Sequence, residues 1–316
     1  MFTAAKSILE PYGYEIITMT GAGQEVRILP ANGFNLYDWK VDGNDVLMQP
    51  DDITSFGAKY GNPILFPTPN RTKDCIYRWN GQERVLKKRG TPVQRHGLVM
   101  DEPFTVTKLF AEENKAVCAA EFKICENDGL YEGYPFPCTL TVIYTLDKDG
   151  VHFEAKISND GKETMPFGLA IHPYFSKRGD ANKCFIKVPV KRYYEADADL
   201  IPSGRILPVE EDKNIGEEFK SVESLYLDTV FRGMSADKES LIKYEDVMIH
   251  INASDCFRNV VVFTPHTRPG FCIEPQTNAT DYLNMHARGQ IDESGLLILQ
   301  AGKSFESRID MTVERL

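Results

Sequence analysis

The feature that most constrains this chain is a long succession of short β-type runs, each closed by turn-forming residues, with little helical periodicity between them. Three such runs near the start are separated by turns that contain glycine: 14–20, 24–29 and 34–41. Glycine turns between runs of alternating apolar residues predict antiparallel strands in a meander. Tyr37 and Trp39, two positions apart, should then share one face of the third strand.

The same pattern continues to the C-terminus. Asn80-Gly81 predicts a tight hairpin, and residues 281–286 predict one turn of helix. Residues 193–223 are acidic and are expected to be rich in loops, with a turn at 201–205. Further strands are expected at 104–110, 116–124, 138–146, 151–158, 184–190, 241–244, 247–252, 260–264, 271–273, 296–299 and 305–313. No repeat or linker interrupts this series, which predicts one large all-β domain of antiparallel sheets over residues 1–316.

Composition and charge restrict the partners. The 316 residues are 42% hydrophobic and 26% charged, as expected for a globular enzyme. A net charge of -10 argues against nucleic acid or an anionic membrane as the main partner, because both require a basic surface. A neutral small molecule fits this charge better.

The N-terminus and the cysteines predict a cytoplasmic location. The first residues lack a basic segment followed by an apolar one, and no apolar run is long enough to span a bilayer. The seven cysteines are scattered and contain no close metal-type pair. Neither a disulfide framework nor a zinc site is therefore expected, and the thiols should be reduced.

Two apolar runs end in titratable residues that are followed by proline. His172 follows the run 165–171, and Glu274 follows the run 271–273. A histidine on an apolar strand is usually a core residue whose ring nitrogens find backbone partners. The second segment of similar build, with a carboxylate in place of the imidazole, makes a catalytic role for His172 and Glu274 the stronger interpretation.

Three further segments carry polar side chains that could bind a ligand. Asn70 and Arg71 follow three prolines in residues 63–69, and a stiff loop of this kind presents a guanidinium at low entropic cost. His96 precedes a glycine, which permits close approach of a ligand or of another chain segment. Asp228 lies within an apolar run, where a buried carboxylate needs partners. A solvated arginine, a core histidine and a surface-edge aspartate remain the ordinary alternatives.

This set of residues narrows the chemistry. The chain has no nucleophile elbow, phosphate loop or metal signature. An imidazole and a carboxylate of raised pKa are competent acid and base near neutral pH. The sequence thus predicts proton transfer on a neutral polar substrate, with protons moved at both ends of one bond.

The order of these residues resembles the aldose 1-epimerases, or galactose mutarotases, from about Tyr14 to the C-terminus. The resemblance rests on Asn70-Arg71, His96-Gly97, His172 before Pro-Tyr-Phe, Asp228, and Glu274 before Pro-Gln-Thr. It implies a β-supersandwich with an open sugar cleft that interconverts the anomers of free hexoses without a cofactor or metal. It also implies a small-molecule sugar as the partner of a monomer or homodimer.

The resemblance also implies roles for the residues. Glu274 would take the proton of the anomeric hydroxyl while His172 protonates the ring oxygen. His96 would hydrogen-bond near the ring oxygen or the anomeric hydroxyl, and Asp228, Arg71 and Asn70 would hold other hydroxyls. Leu98, where many relatives have a second glycine, and the Pro-Tyr-Phe after His172 leave the preferred sugar open.

Three alternatives remain at the level of the sequence. A hexose-6-phosphate mutarotase could use basic residues Lys73, Arg78 and 87–89. A non-catalytic carbohydrate-binding sandwich could keep the cleft without the chemistry. A glycoside hydrolase could use Asp228 and Glu274 as its two carboxylates.

Overall fold

The computed structural model describes residues 1–54 and 59–316, and the part of the chain that it describes forms 28 strands. In the first half these are β1 (Thr3–Leu9), β2 (Tyr14–Gly21), β3 (Gln24–Leu29), β4 (Asn35–Val41), β5 (Asn44–Asp45), β6 (Ile64–Leu65), β7 (Ile76–Trp79), β8 (Gln82–Val85), β9 (Lys87–Lys88), β10 (Thr91–Pro92), β11 (Thr105–Ala111), β12 (Lys115–Ile124), β13 (Cys138–Asp147) and β14 (Gly150–Asn159).

The second half contains the strands of the candidate site. They are β15 (Met165–Phe167), β16 (Ala170–Ile171), β17 (Tyr174–Ser176), β18 (Phe185–Lys187), β19 (Arg192–Ala196), β20 (Pro202–Pro208), β21 (Lys220–Ser221), β22 (Asp228–Arg232), β23 (Ser240–Lys243), β24 (Val247–Ala253), β25 (Asn259–Phe263), β26 (Gly270–Gln276), β27 (Leu297–Leu299) and β28 (Ser304–Arg315).

Helices are few and short. The α-helices are α1 (Tyr282–Ala287) and α2 (Ile291–Ser294), and single 3-10 turns span Lys73–Cys75, Ala181–Lys183, Glu211–Lys213 and Val222–Ser224. The first of these α-helices confirms the helical turn expected near residue 281. Among the described residues, neither α-helix has the length and apolar character needed to cross a membrane.

Three large antiparallel sheets make up the fold. The first is the five-stranded meander β1-β2-β3-β4-β5. The second has nine strands in the order β11-β12-β13-β14-β28-β24-β23-β18-β21, and the third has eight in the order β20-β19-β22-β25-β26-β16-β6, with β17 also paired to β26. This is the all-β, mutarotase-like sandwich that the sequence predicts, and the third sheet carries the candidate site.

Alternating apolar residues explain why the sheets pack together. Along β13, buried and partly exposed positions alternate without interruption, so Leu140, Val142 and Tyr144 point to one side. They join a large hydrophobic cluster that also contains Trp39 of the first sheet and Ile273 of the third. Burial of each such side chain stabilises the fold by roughly 1.5–3 kcal/mol.

Most predicted strands are confirmed, with shifts of a few residues at their ends. The hairpin at Asn80-Gly81 joins β7 to β8, and both turn residues have positive φ, at 50° and 75°. Such angles define the turn that suits the strand twist. The strand expected over 165–171 is split into β15 and β16 by Gly168 and Leu169.

Two local predictions are wrong. Tyr37 and Trp39 lie in different hydrophobic clusters, because the register of β3 with β4 shifts between Arg27 and Ile28. An extra residue at a bulge turns the next side chain to the opposite face. The region 193–223 is less rich in loops than expected, since β19 and β20 form a hairpin there. The segment 201–205 lies mostly in β20, an edge strand that tolerates Pro202 at its first position.

Candidate active site

Strand β26 carries Glu274, and the candidate site is built around it. Its pairings with β16 and β17 keep one antiparallel register on both sides of His172. That register places His172 opposite Glu274, at a point where Pro173 cannot donate a ladder hydrogen bond. The His172 N–H donates to the carbonyl of Pro63 at 2.9 Å, and this hydrogen bond fixes the backbone at His172.

His172 and Glu274 form a direct buried pair. The His172 Nε2 atom lies 3.3 Å from Glu274 Oε1, and the residues are 5% and 2% exposed. Burial lowers the pKa of His172 well below its ordinary value, and His96 acts in the same direction. Burial raises the pKa of Glu274 well above its ordinary value, and Asp228 adds to this effect.

These pKa shifts bear on whether the pair is charged or neutral. A separation of 3.3 Å would suit an imidazolium–carboxylate ion pair, but both shifts favour the uncharged forms. Two charges removed from water are expensive to keep unless further hydrogen bonds compensate them. Burial therefore favours a neutral imidazole and a neutral carboxyl over the ion pair at this contact.

His96 reaches the site through a strained loop. Its φ is +65°, and that of Gly97 is +73°. A Cβ atom at Gly97 would lie 2.3 Å from the carbonyl oxygen of Phe66, so only glycine permits this approach. The His96 N–H donates to the Asn70 carbonyl at 2.7 Å. The loop thus holds the His96 ring edge-on to His172, with 5.2 Å between ring centroids.

Asn70, Arg71 and Asp228 also line the cleft. Asn70 has a φ of +63°, and outliers of this kind cluster at functional sites. Asp228 opens β22 and is exposed at the mouth of the cleft. Partial burial nevertheless raises its pKa, while Arg71 and Arg95 act in the opposite direction. These guanidinium groups are therefore close enough to influence the carboxylate.

All six candidate residues from the sequence line one polar cavity of about 120 Å³. Its lining residues are Asn70, Arg71, Arg95, His96, His172, Tyr174, Asp228, Val261, Phe263, Arg268 and Glu274. A second cavity of about 190 Å³ shares Asn70 and Asp228 with it and continues towards Tyr194. The cleft is therefore longer than the part that holds the acid–base pair.

Sequence reasoning missed three polar residues of this cavity. Tyr174 stacks on His172 with ring centroids 4.6 Å apart and an interplanar angle of 11°. Arg268 comes from the connection between β25 and β26, and Arg95 directly precedes His96. Arg95 and Tyr174 adjoin recognised histidines and could have been found by that proximity. Arg268 gives no local signal, because only the fold brings its loop to the cleft.

The basic residues suggested for phosphate binding are not part of this cavity. Arg78 forms an ion pair with Glu83, and Lys87 forms one with Glu132. The remaining pairs of this cluster are Lys88 with Asp101 and Glu102, and Arg89 with Glu102. The positive charges of Arg78 and of residues 87–89 are thus already paired with carboxylates, and Lys73 does not line the cavity either.

One set of side chains in the site has the chemistry to hold a metal ion. Donor atoms of His172, Cys272 and Glu274 lie within 4.8 Å of one another, and all three residues are buried. A thiol must lose its proton to bind zinc. Burial raises the pKa of Cys272 well above its ordinary value, which opposes that loss. Acid–base chemistry by His172 and Glu274 needs no such step.

Comparison with known proteins shows the family. The model of the aldose 1-epimerase family matches residues 15–312, so this chain belongs to that family. An uncharacterised Escherichia coli K12 protein, YihR, is 25% identical over 246 residues, which are 76% of this chain and 75% of that protein. The plasmid-encoded LacX protein of Lactococcus lactis is 30% identical over 139 residues, 43% of this chain and 42% of LacX.

Solved structures share the fold at low sequence identity. A galactose mutarotase-like protein from Clostridium acetobutylicum has a TM-score of 0.89 at 20% identity, covering 100% of this chain and 99% of that one. Galactose 1-epimerase from Lactobacillus acidophilus has a TM-score of 0.80 at 15% identity, again covering 100% and 99%. At these identities, the likeness shows the architecture alone.

Proposed function

We propose that this protein is an aldose 1-epimerase that interconverts the α and β anomers of a hexose such as glucose or galactose. The observation that carries the proposal is the direct opposition of His172 and Glu274 at 3.3 Å inside a polar cavity. Membership of the aldose 1-epimerase family supports the reaction class. The residues supply a complete acid–base pair without a further group.

The contact distance suits the atoms that must exchange protons. Ring opening removes a proton from the anomeric hydroxyl and adds one to the ring oxygen, and both oxygens are bonded to C1. An acid and a base that touch each other can therefore reach both atoms of one sugar. Glycoside hydrolases use two carboxylates, whereas the residues in direct contact here are a histidine and a glutamate.

The proton balance closes within the pair. In the sugar complex, hydroxyl groups supply hydrogen bonds that stabilise the charged tautomer, imidazolium with carboxylate. His172 gives its proton to the ring oxygen, Glu274 takes the proton of the anomeric hydroxyl, and the bond from C1 to the ring oxygen breaks. The products are the open aldehyde, a neutral imidazole and a neutral carboxyl. Rotation about C1–C2 and the reverse transfers give the other anomer.

The remaining residues bind and orient the sugar. His96 lies edge-on to His172 and would hydrogen-bond at the ring oxygen or the anomeric hydroxyl. Asn70, Arg71 and Asp228, which line the same cavity, would hold the other hydroxyls. Asn70 and His96 sit on two loops joined by a backbone hydrogen bond, so the binding groups are positioned before the sugar arrives.

Polarimetry tests the proposal. Freshly dissolved α-glucose, α-galactose and α-glucose 6-phosphate are followed with and without protein, with Glu274→Gln beside them. Glu306→Gln, which removes an exposed carboxylate outside the cavity, is the matched control. We expect faster relaxation to the same end point for at least one sugar, lost in Glu274→Gln and kept in the control.

Two results would contradict the proposed function. Spontaneous relaxation of every sugar, together with measurable sugar binding, would indicate a non-catalytic carbohydrate-binding sandwich. Normal turnover by Glu274→Gln would show that the protons move elsewhere.

A further inference from the structure

Among the residues that the structure describes, three arginines around the cavity have no carboxylate partner in an ion pair. Ten of the 15 arginines in the chain pair with a carboxylate. Among residues 1–54 and 59–316, five arginines do not, and three of these five line the cavity, namely Arg71, Arg95 and Arg268. The unpaired guanidinium groups are thus concentrated where the sugar would bind.

The carboxylates of the cavity do not balance this charge. The acidic residues that line it are Asp228 and Glu274, and the pKa of each is raised. Three guanidinium groups therefore face two carboxyl groups that ionise less readily than usual. A cleft with one sign of charge concentrates ligands of the opposite sign, even on a protein whose net charge is -10.

The three arginines act on the titratable residues of the cavity. Arg95 and Arg71 both act on the pKa of His96 and of Asp228. Arg268 acts on His172 and hydrogen-bonds to Tyr174, the ring stacked on that histidine. A sugar lying against His172 and Glu274 would extend a substituent towards one of these groups.

We propose that the site takes an aldose that carries an anionic group outside the ring, and that Arg95 and Arg268 select this group. Phosphate, sulfonate and carboxylate share the required chemistry, because each offers several anionic oxygens to a forked guanidinium. The inference rests on the proposed function and narrows its substrate class. Arg71 remains available for ring hydroxyls.

An anionic substrate would also assist the chemistry. Burial lowers the pKa of His172, and the positive charge of Arg268 acts in the same direction. An anion beside Arg268 offsets the charge of that guanidinium, so His172 takes up a proton more readily. The proton that His172 must give to the ring oxygen is then supplied partly by the binding of the substrate itself.

Anomer exchange rates for neutral and anionic sugars test the inference. Wild type is measured by exchange NMR with glucose, galactose, glucose 6-phosphate and glucuronate. We expect kcat/KM to be about tenfold higher or more for an anionic sugar, the effect of one charge-assisted hydrogen bond. Added NaCl should reduce this advantage and leave the neutral sugars unaffected, because salt screens exposed charges.

The double variant Arg95→Gln/Arg268→Gln is the direct test of the two residues. Both side chains are exposed, so their replacement leaves the hydrophobic core unchanged. The preference for the anionic sugar should fall about tenfold, because the rate with that sugar falls while the rate with neutral sugar does not. Arg192→Gln, an exposed arginine that also lacks a carboxylate partner among the described residues, is the control and should keep the preference.

The outcomes separate the two proposals. Equal or faster exchange of neutral sugars by wild type, with no effect of salt, overturns the anionic substrate and leaves the epimerase intact. An equal loss for both sugars in the double variant overturns the selective role of Arg95 and Arg268. Failure to accelerate exchange of any sugar overturns the proposed function itself.

Discussion

Two of the protein's histidine–carboxylate pairs are in opposite electrostatic states. His172 faces Glu274 within the eight-stranded sheet, where burial favours the neutral form of each. His152 and Asp310 lie opposite each other on β14 and β28 of the nine-stranded sheet, and His152 Nδ1 is hydrogen-bonded to Asp310 Oδ1. The same two functional groups are therefore present on two sheets.

The surroundings decide the charge of each pair. The hydrogen bond with Asp310 raises the pKa of His152, and a second carboxylate, Asp147, lies 3.0 Å from its Nε2 atom. Burial opposes ionisation of Asp310, yet hydrogen bonds from His152 and Arg308 outweigh it and lower its pKa. Additional ion pairs thus stabilise the charged state on the nine-stranded sheet. Among the described residues, His172 and Glu274 form no ion pair besides the one with each other, and burial favours their neutral forms.

The largest effect expected from this difference is on turnover. His172→Gln and Glu274→Gln should each lower kcat by about a hundred-fold to ten-thousand-fold, the usual worth of a general acid or base. His152→Gln should leave kcat and KM close to wild type, because the imidazole that it removes belongs to the charged pair and does not line the cavity. Exchange rates of the best sugar, with circular dichroism to verify folding, give the comparison. A similar loss of kcat in His152→Gln would show that the pairs are not functionally distinct.

The pH profile sharpens the same contrast. In the proposed mechanism the His172–Glu274 pair holds one proton, so kcat/KM should fall when a second proton is bound or that proton is lost. Burial and His96 lower the pKa of His172, which places the acid limb below the ordinary imidazole value of 6.5. The alkaline limb should lie above the ordinary carboxyl value of 4.5, because burial raises the pKa of Glu274.

Asp228→Asn provides the internal check on this profile. The negative charge of Asp228 adds to the effect of burial on the pKa of Glu274, so removal of that charge should move the alkaline limb to lower pH. The profile is measured as kcat/KM against pH for both proteins. An acid limb at or above pH 6.5 in wild type would contradict the neutral description of the pair.

The sequence predicted most of the fold because its strands alternate clearly. Segments such as β13 bury every second residue, and glycine turns mark their ends. The errors arose where alternation fails. The bulge in β4 reverses the side of Tyr37, and the edge strand β20 is too polar to resemble a strand. Both depend on pairing with a neighbour, which a single segment does not reveal.

The site was predicted less completely than the fold. His172 and Glu274 stood out because each ends an apolar run before a proline, and the register then places them opposite each other. Their shared proton was not predictable, since it depends on burial from all sides. Arg268 was missed because its loop reaches the cavity only through the pairing of β25 with β26. Sequence thus identified the candidate acid and base but not the charge around them.

The two pairs should also differ in their effect on stability. A folded pKa raised above the unfolded value means that folded Glu274 keeps a proton that the unfolded chain releases. Stability therefore falls as pH rises through the unfolded value of 4.5. Glu274→Gln should raise the free energy of unfolding by about 1 kcal/mol at pH 7.5, with no gain at pH 4. Urea unfolding at both pH values measures this, and a loss of stability at pH 7.5 would contradict it.

The smallest effect concerns the charged pair. A raised folded pKa means that His152 contributes stability that is fully present below its unfolded value of 6.5 and is lost as pH rises through the folded value. Asp310, with a lowered pKa, contributes above its unfolded value of 3.8. His152→Gln should therefore lower the free energy of unfolding by about 0.5–1 kcal/mol more at pH 6 than at pH 9.

The pH-independent loss of packing cancels in that difference, and so does the titration of His172, which both proteins share. Equal losses in urea unfolding at the two pH values would show that His152 stabilises the sheet by packing alone, and the electrostatic contrast between the pairs would then be lost.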